Sequence, residues 1–343
     1  MRKKILVTGG AGYIGSHTLI ELLEQTDYEV ISIDNFSNSS PKTYERIRNI
    51  SDQRFTTIEL DLCDKAALRD TFQELGEIAG IIHFAAFKSV PESTEKPLKY
   101  YRNNLNSLFN LSELAYEFGV RSFIFSSSCS VYGNIESLPV SEQTTLNQAE
   151  SPYAYTKQVG EQFLEDFCLA HKDFNCISLR YFNPVGAHES GLIGEDPINP
   201  PTSLVPVITK TAMGIIPRMT VYGTDYPTRD GSCIRDYIHV SDVANAHIQA
   251  LSCIFEGKMK KNHSIFNLGT GSGVSVLEAI QAFEEVSGLQ LNYTLGPRRA
   301  GDVVSIYSDT SLSYAALQWK PKHNLRSMMA SAWKWEQYLN ENN

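Results

Sequence analysis

A chain of 343 residues that is 42% hydrophobic can bury a large core, which excludes disorder as its ground state and suggests one large domain or two joined ones. Its formal net charge of -9 disfavours nucleic acid and anionic membrane surfaces as partners, so an anionic ligand has to be met by local Arg and Lys. The cysteines (Cys63, Cys129, Cys168, Cys176, Cys233, Cys253) form no C-x-x-C pair, and the apolar Ile5-Leu6-Val7 is too short for a signal segment, so a soluble cytoplasmic protein without structural metal is expected.

Short apolar runs at residues 5–8, 30–33, 57–60, 80–84, 122–126 and 176–179 alternate with helical segments, the pattern of buried parallel strands joined by crossover helices. The expected fold class is α/β, a doubly wound parallel sheet. Between the fourth and fifth runs, Leu105, Leu108, Leu111, Leu114, Ala115 and Phe118 recur at helical spacing and predict a packed helix. Beyond Tyr181 the texture changes, because Pro184, Pro197, Pro200, Pro201, Pro206 and Pro217 interrupt the periodicity. Residues 1–180 are expected to form the doubly wound unit and 181–343 a smaller mixed α/β lobe, with the strand-then-helix stretch 236–251 a candidate to return to the first unit.

The first strand leads into Gly9-Gly10-Ala11-Gly12-Tyr13-Ile14-Gly15 and then a helix-forming run to about Leu23. Glycines in such a turn let backbone N–H groups and a helix N-terminus approach a pyrophosphate. A bare Gly-x-Gly-x-x-Gly is weak, since most glycine-rich turns are only turns. Here a strand precedes, a helix follows, and Asp34 closes the next strand at roughly the ~20-residue distance of a ribose ligand. The Asp34 carboxylate accepts bonds from a ribose 2′-hydroxyl and repels a 2′-phosphate, and Asn35 rather than Arg follows it. NAD is therefore the expected cofactor, although the plainer role of Asp34 is to cap a turn.

Ser151-Pro152 pairs a cap residue with a first-turn proline, so Tyr153 and Lys157 should share one face of the helix that follows. That spacing alone is close to what chance supplies. Its weight comes from its place after the strand end Ser126-Ser127-Ser128, in a chain carrying a dinucleotide fingerprint. A phenol has a reference pKa near ~10, and an adjacent ammonium and a positive nicotinamide ring both favour its phenolate. Tyr153 can then take a proton from a sugar hydroxyl while hydride leaves the same carbon, with Ser128 hydrogen-bonded to that hydroxyl.

Further segments are His83-Phe84-Ala85-Ala86, Leu179-Arg180-Tyr181-Phe182-Asn183-Pro184-Val185-Gly186-Ala187-His188, Gly194-Glu195-Asp196-Pro197, Tyr226-Pro227-Thr228 and Arg235-Asp236-Tyr237-Ile238-His239-Val240. Together with the glycine turn and Tyr153/Lys157 they make the chain resemble, through nearly its whole length, the extended short-chain dehydrogenase/reductase family and its sugar-nucleotide 4-epimerases. The resemblance implies cofactor contacts from Gly9, Gly12, Tyr13, Ile14, Gly15, Asp34, Asn35, Asp61, Leu62, Phe84, Ala85, Lys88, Asn103, Ser126, Tyr153, Lys157 and Tyr181. It implies contacts to a UDP-hexose from Ser128, Tyr153, Asn183, Ser203, Leu204, Thr220, Val221, Tyr222, Arg235, Tyr237, Arg299, Asp302 and Ile306. Arg235 and Arg299 would supply the two guanidiniums that a diphosphate needs on an acidic protein.

The implied reaction interconverts UDP-glucose and UDP-galactose by transient oxidation at carbon 4, without net redox. A 4,6-dehydratase is the first alternative. Such enzymes resemble one another in carrying Asp-Glu directly after the residue equivalent to Ser128, where this chain has Cys129-Ser130; decarboxylating relatives carry Glu at the place of Ser130. A non-enzymatic NAD-sensing regulator is the second alternative, and intact Ser128, Tyr153 and Lys157 speak against it. Two positions depart from the usual epimerase pattern. Ser203 stands where an asparagine often precedes Leu204, and Ile306 is intermediate between the Tyr that narrows the sugar pocket and the small side chains that go with N-acetylated sugars. UDP-N-acetylgalactosamine is thus expected as a slower substrate. The resemblance also implies a homodimer that pairs the helix around Leu105 to Phe118 with the one after Tyr153, where Phe163 and Phe167 could supply the face.

Overall fold

The computed structural model describes residues 2–198, 201, 203–299 and 303–342. Its first part runs β1 (Lys4–Thr8), α1 (Tyr13–Gln25), β2 (Glu29–Asp34), α2 (Lys42–Ile50), β3 (Thr56–Glu59), α3 (Lys65–Leu75), β4 (Gly80–His83), α4 (Val90–Glu95), α5 (Pro97–Glu117), β5 (Ser122–Ser128), α6 (Pro152–Ala170) and β6 (Asn175–Tyr181). There follow β7 (Asn183–Val185), α7 (Leu204–Ala212), β8 (Met219–Tyr222), β9 (Ile234–His239), α8 (Val240–Phe255) and β10 (His263–Leu268). The last elements are β11 (Gly273–Ser275), α9 (Val276–Ser287), β12 (Tyr293–Gly296), α10 (Ser311–Leu317) and α11 (Leu325–Asn342).

Seven strands make one parallel sheet in the order β10-β6-β5-β4-β1-β2-β3. Its strands read as unbroken apolar runs because both faces are covered. Ile5 and Val7 face one core cluster, with Leu19 and Leu22 of α1 and Leu251 of α8. Leu6 faces the other, with Phe72 of α3, Leu108 and Leu111 of α5 and Leu164 of α6. Helices on both faces are the doubly wound arrangement expected from the sequence. The strand order reverses between β1 and β4, and at such a point a crevice opens beyond the carboxyl ends of the strands.

The chain leaves this sheet after Tyr181 and later comes back. Of the stretch 236–251, the strand β9 joins β7 and β11 in a separate three-stranded sheet, while the helix α8 packs against α1. The strand that rejoins the large sheet is β10, beside β6. Its sequence, His263-Ser264-Ile265-Phe266-Asn267-Leu268, reads too polar for a buried strand because two of its polar side chains have specific partners. His263 Nε2 bonds the Ser178 hydroxyl at 2.8 Å, and the Tyr132 hydroxyl donates to Asn267 Oδ1 at 2.6 Å. A third cluster around Ile208, Phe283, Met328 and Met329 joins α7, α9 and α11 beside the two-stranded sheet β12-β8. Among the described residues no helix is long and apolar enough to cross a membrane.

Candidate active site

The glycine turn sits at the crevice. Gly12 caps α1 with no side-chain hydrogen bond, and no acidic residue lies in the first turn, so the N–H groups and positive end of the helix are kept for an anion. A Cβ on Gly15 would stand 2.2 Å from Gly9 O, whereas one on Gly12 would meet protein only at 3.2 Å, at that same oxygen. Gly15 is glycine for packing. Around a Cβ on Gly12, its chain neighbours aside, that one oxygen is the single described protein atom within 4 Å, and Gly12 itself lines the cleft, so the cradle fits the expected dinucleotide. Gly15→Ala is therefore expected to displace the turn, a clash of about 1–3 kcal/mol or more, and to lower NAD affinity at least tenfold by equilibrium dialysis. Unchanged affinity would mean the turn does not hold the cofactor.

Asp34 is buried at the end of β2. Its Oδ2 accepts from Ala11 N at 2.9 Å, and its Oδ1 accepts from Phe36 N at 2.9 Å and Ser39 Oγ at 2.8 Å. It therefore caps a turn and borders the crevice at once. Every residue expected at the cofactor lines one continuous cleft, from the glycine turn and Asp34 through Asp61, Leu62, Phe84, Ala85, Lys88 and Asn103 to Ser126, Tyr153, Lys157 and Tyr181. The Phe87–Lys88 wall is fixed by Asn104, whose Oδ1 accepts from Phe87 N at 2.9 Å and whose Nδ2 donates to Phe87 O at 3.0 Å. The segment 193–197 also lines the cleft, and Arg46 of α2 lines it from the side of the large sheet, whose core Tyr44 and Ile47 of the same helix join. Sequence reasoning gave neither of these a role; the signal present was the family-like Gly194-Glu195-Asp196-Pro197.

At the reactive end, Ser151 Oγ accepts from Ala154 N at 3.2 Å and Pro152 starts α6, which fixes the turn carrying Tyr153. Lys157 Nζ donates to Ser126 O at 2.6 Å and lies 6.0 Å from the Tyr153 ring centroid. Burial pushes the Tyr153 phenol up to about 12, and a hydrogen bond with Ser128 partly opposes this. The lowered phenol expected from sequence is thus not produced by the protein groups alone. Burial also brings Lys157 down to about 8, against the pull of Glu161. The Tyr181 hydroxyl meets His247 Nε2 at 2.6 Å. The cluster provides a phenol, a buried amine and a serine hydroxyl, the set needed for proton transfer at an alcohol carbon beside a hydride acceptor.

Apart from Ser128 and Tyr153, the residues expected at the nucleotide sugar follow Tyr181 in the chain. Asn183 and Tyr237 are register partners in β7 and β9, and Asn183 Oδ1 is buried with no hydrogen-bond partner among the described residues. Arg235 donates to Val303 O at 2.6 Å and to Ile234 O at 2.9 Å, so one guanidinium nitrogen is committed to the backbone. Thr220, Val221 and Tyr222 lie in β8 against β12, and the Arg299 guanidinium is 5.7 Å from the Tyr222 ring centroid. Ser203 is exposed ahead of Leu204, at the N-cap of α7, with no side-chain cap bond. Ile306 is buried against Val131, Tyr132, Val140 and Phe182, beside Cys129 and hence near Ser128. Asp302 lies outside the described residues.

Residues 5–269 match the family model described as the NAD dependent epimerase/dehydratase family. A UDP-glucose 4-epimerase of Bacillus subtilis (strain 168) is 45% identical over 332 residues, covering 97% of this chain and 96% of that protein. Among solved structures, a UDP-glucose-4-epimerase from Stenotrophomonas maltophila with bound NAD and formylated UDP-arabinopyranose superposes with a TM-score of 0.95 at 42% identity, covering 100% of both chains. One from Bifidobacterium longum in complex with NAD+ and UDP gives a TM-score of 0.93 at 43% identity, covering 99% of each chain.

Proposed function

The chain belongs to the NAD dependent epimerase/dehydratase family, and from that premise we propose that it is an isomerase interconverting UDP-glucose and UDP-galactose with NAD held throughout. The observation that carries this is the meeting of Ser126, Tyr153, Lys157 and Tyr181 at one end of the cleft that the glycine turn and Asp34 line at the other. Cys129-Ser130 after Ser128 lacks the acidic pair of a 4,6-dehydratase.

Direct deprotonation of an unactivated alcohol carbon is prohibitively hard. Bound NAD supplies the alternative, a hydride acceptor that later returns the hydride to the other face of carbon 4. Tyr153 takes the hydroxyl proton as the hydride leaves and gives it back on return. Ser128 donates to the oxygen at carbon 4 and polarises the ketone, and Lys157 places positive charge behind the phenol. The sugar must turn over between the two half-reactions while the nucleotide stays anchored. Arg235 and Arg299 with the diphosphate, and the unpartnered Asn183 Oδ1 with a donor of the substrate, are assigned to that anchor. Ile306 narrows the sugar side less than an aromatic ring would.

Purified protein is expected to carry NAD and to convert UDP-galactose to UDP-glucose with no added oxidant. A stable 4-keto-6-deoxy product would overturn the proposal in favour of a dehydratase. Under the same conditions UDP-N-acetylgalactosamine is expected to turn over more slowly; no detectable conversion would remove that part. Cytoplasmic residence and a homodimer belong to the same proposal. The dimer face is assigned to α5 and α6, where the Phe109 and Phe163 rings lie 4.6 Å apart and Leu98, Tyr155 and Leu169 are exposed. Sedimentation at low concentration tests it, and a monomer would exclude it.

A further inference from the structure

Two ion pairs bridge the cofactor cleft from wall to wall. Lys88 Nζ lies 3.0 Å from Glu195 Oε1, and Arg46 Nη1 lies 3.1 Å from Asp196 Oδ2. In each pair both members line the cleft, the cation from the wall of the large sheet and the carboxylate from the segment 193–197. This segment is fastened from behind by the last helix. Trp335 of α11 is buried and donates from Nε1 to Glu195 O at 3.1 Å, and its ring lies under the Arg46 guanidinium, 4.9 Å from the centroid. Just upstream, the Tyr13 hydroxyl donates to Gly186 O at 2.6 Å and Lys334 Nζ to Glu189 O at 2.7 Å. The segment is thus a strap with a firm back, joined to the front wall by charge.

We infer that Glu195 and Asp196, clasped by Lys88 and Arg46, form a gate over the dinucleotide that sets how fast it is taken up and released. The inference rests on the proposed NAD-dependent function and adds residues to it that need not touch the reacting atoms. On this reading a dinucleotide in the cleft lies beneath both bridges, so its exchange requires them to open. An enzyme that regains its oxidised cofactor at the end of every turnover has no need to exchange it, and a reduced cofactor that escaped in mid-cycle would leave the ketone stranded. Arg46 and Glu195 are largely buried while Lys88 and Asp196 reach solvent, so the clasp is firm on the inside and sensitive to salt on the outside.

The test is exchange of bound NAD for isotopically labelled NAD in the purified holoenzyme, compared with the double variant Glu195→Gln, Asp196→Asn. Removing a gate raises uptake and release together. The variant is expected to exchange on the order of tenfold faster at low salt. Raising salt to about 1 M should accelerate exchange in the parent chain and leave the variant little changed. The swapped pair Arg46→Asp, Asp196→Arg, which keeps that bridge with its charges exchanged, should exchange NAD more slowly than Asp196→Arg alone, a difference that a folding defect at position 196 would not produce. Equal exchange rates in parent and variant, or faster release without faster uptake, would overturn the gate. A parent chain that neither carries nor takes up NAD would instead overturn the functional proposal on which the gate depends.

Discussion

Tyr153→Phe is expected to retain bound NAD and to lose turnover by about 10²–10⁴-fold. The substitution removes one hydroxyl from a ring held at the start of α6, whose cap bond from Ala154 N to Ser151 Oγ and interior are untouched, so the cleft keeps its shape. What is lost is the proton acceptor. With the phenol pushed up to about 12, the protein alone leaves about one phenolate in 10⁵ molecules at neutral pH. The positive charge of bound NAD, added to that of Lys157, therefore has to bring the phenol within reach of neutral pH. Near-normal turnover in the variant would show that another group takes the proton.

The same balance fixes a pH dependence. Lys157 is brought from its ordinary 10.5 to about 8 by burial, so it is charged below that pH and loses its proton as pH rises through it. Turnover that depends on the ammonium should accordingly fall on the alkaline side of about pH 8.

How far the site could be read in the sequence depended on how local its parts are. The glycine turn is seven consecutive residues, Tyr153 and Lys157 are one helical turn apart, and Asp34 ends the strand beside β1, so spacing alone nearly determines their placement. The strands of the large sheet were legible for a similar reason, since burial on both faces selects unbroken apolar runs. β10 was not, because an edge strand carrying His263 and Asn267 is explained only by partners on β6 and on the turn after β5. Arg46 and Asp196 lie 150 positions apart, and no periodicity links them. Arg180 was visible as part of a family-like segment, yet its task appears only in the register that sets it beside Ser127 and Asn267 on neighbouring strands.

That register leads to the largest expected effect on stability. Arg180 and Glu161 form a buried bidentate pair, with Nε 2.9 Å from Oε1 and Nη2 2.6 Å from Oε2, and Ser127 Oγ donates to the same carboxylate. The guanidinium also lies 4.8 Å from the Tyr132 ring centroid. Glu161→Gln is expected to cost about 3–5 kcal/mol in denaturant unfolding, because Arg180 remains charged in a site closed to water. That is a large part of a typical folding free energy of about 5–15 kcal/mol. Removing both charges with Glu161→Met and Arg180→Met should recover most of the loss, since a well-filled apolar pair needs no desolvated ion. Equal stability of parent and single variant would show that the pair is solvated in solution. The double variant also separates structure from chemistry. Glu161 sits one turn after Lys157 and favours its charged form, so without it the alkaline fall in turnover should move to lower pH even in a folded enzyme. A stable double variant with an unmoved alkaline limb would confine Glu161 to the core, and a shifted limb would extend the catalytic charge balance from Tyr153 through Lys157 to the strand carrying Arg180.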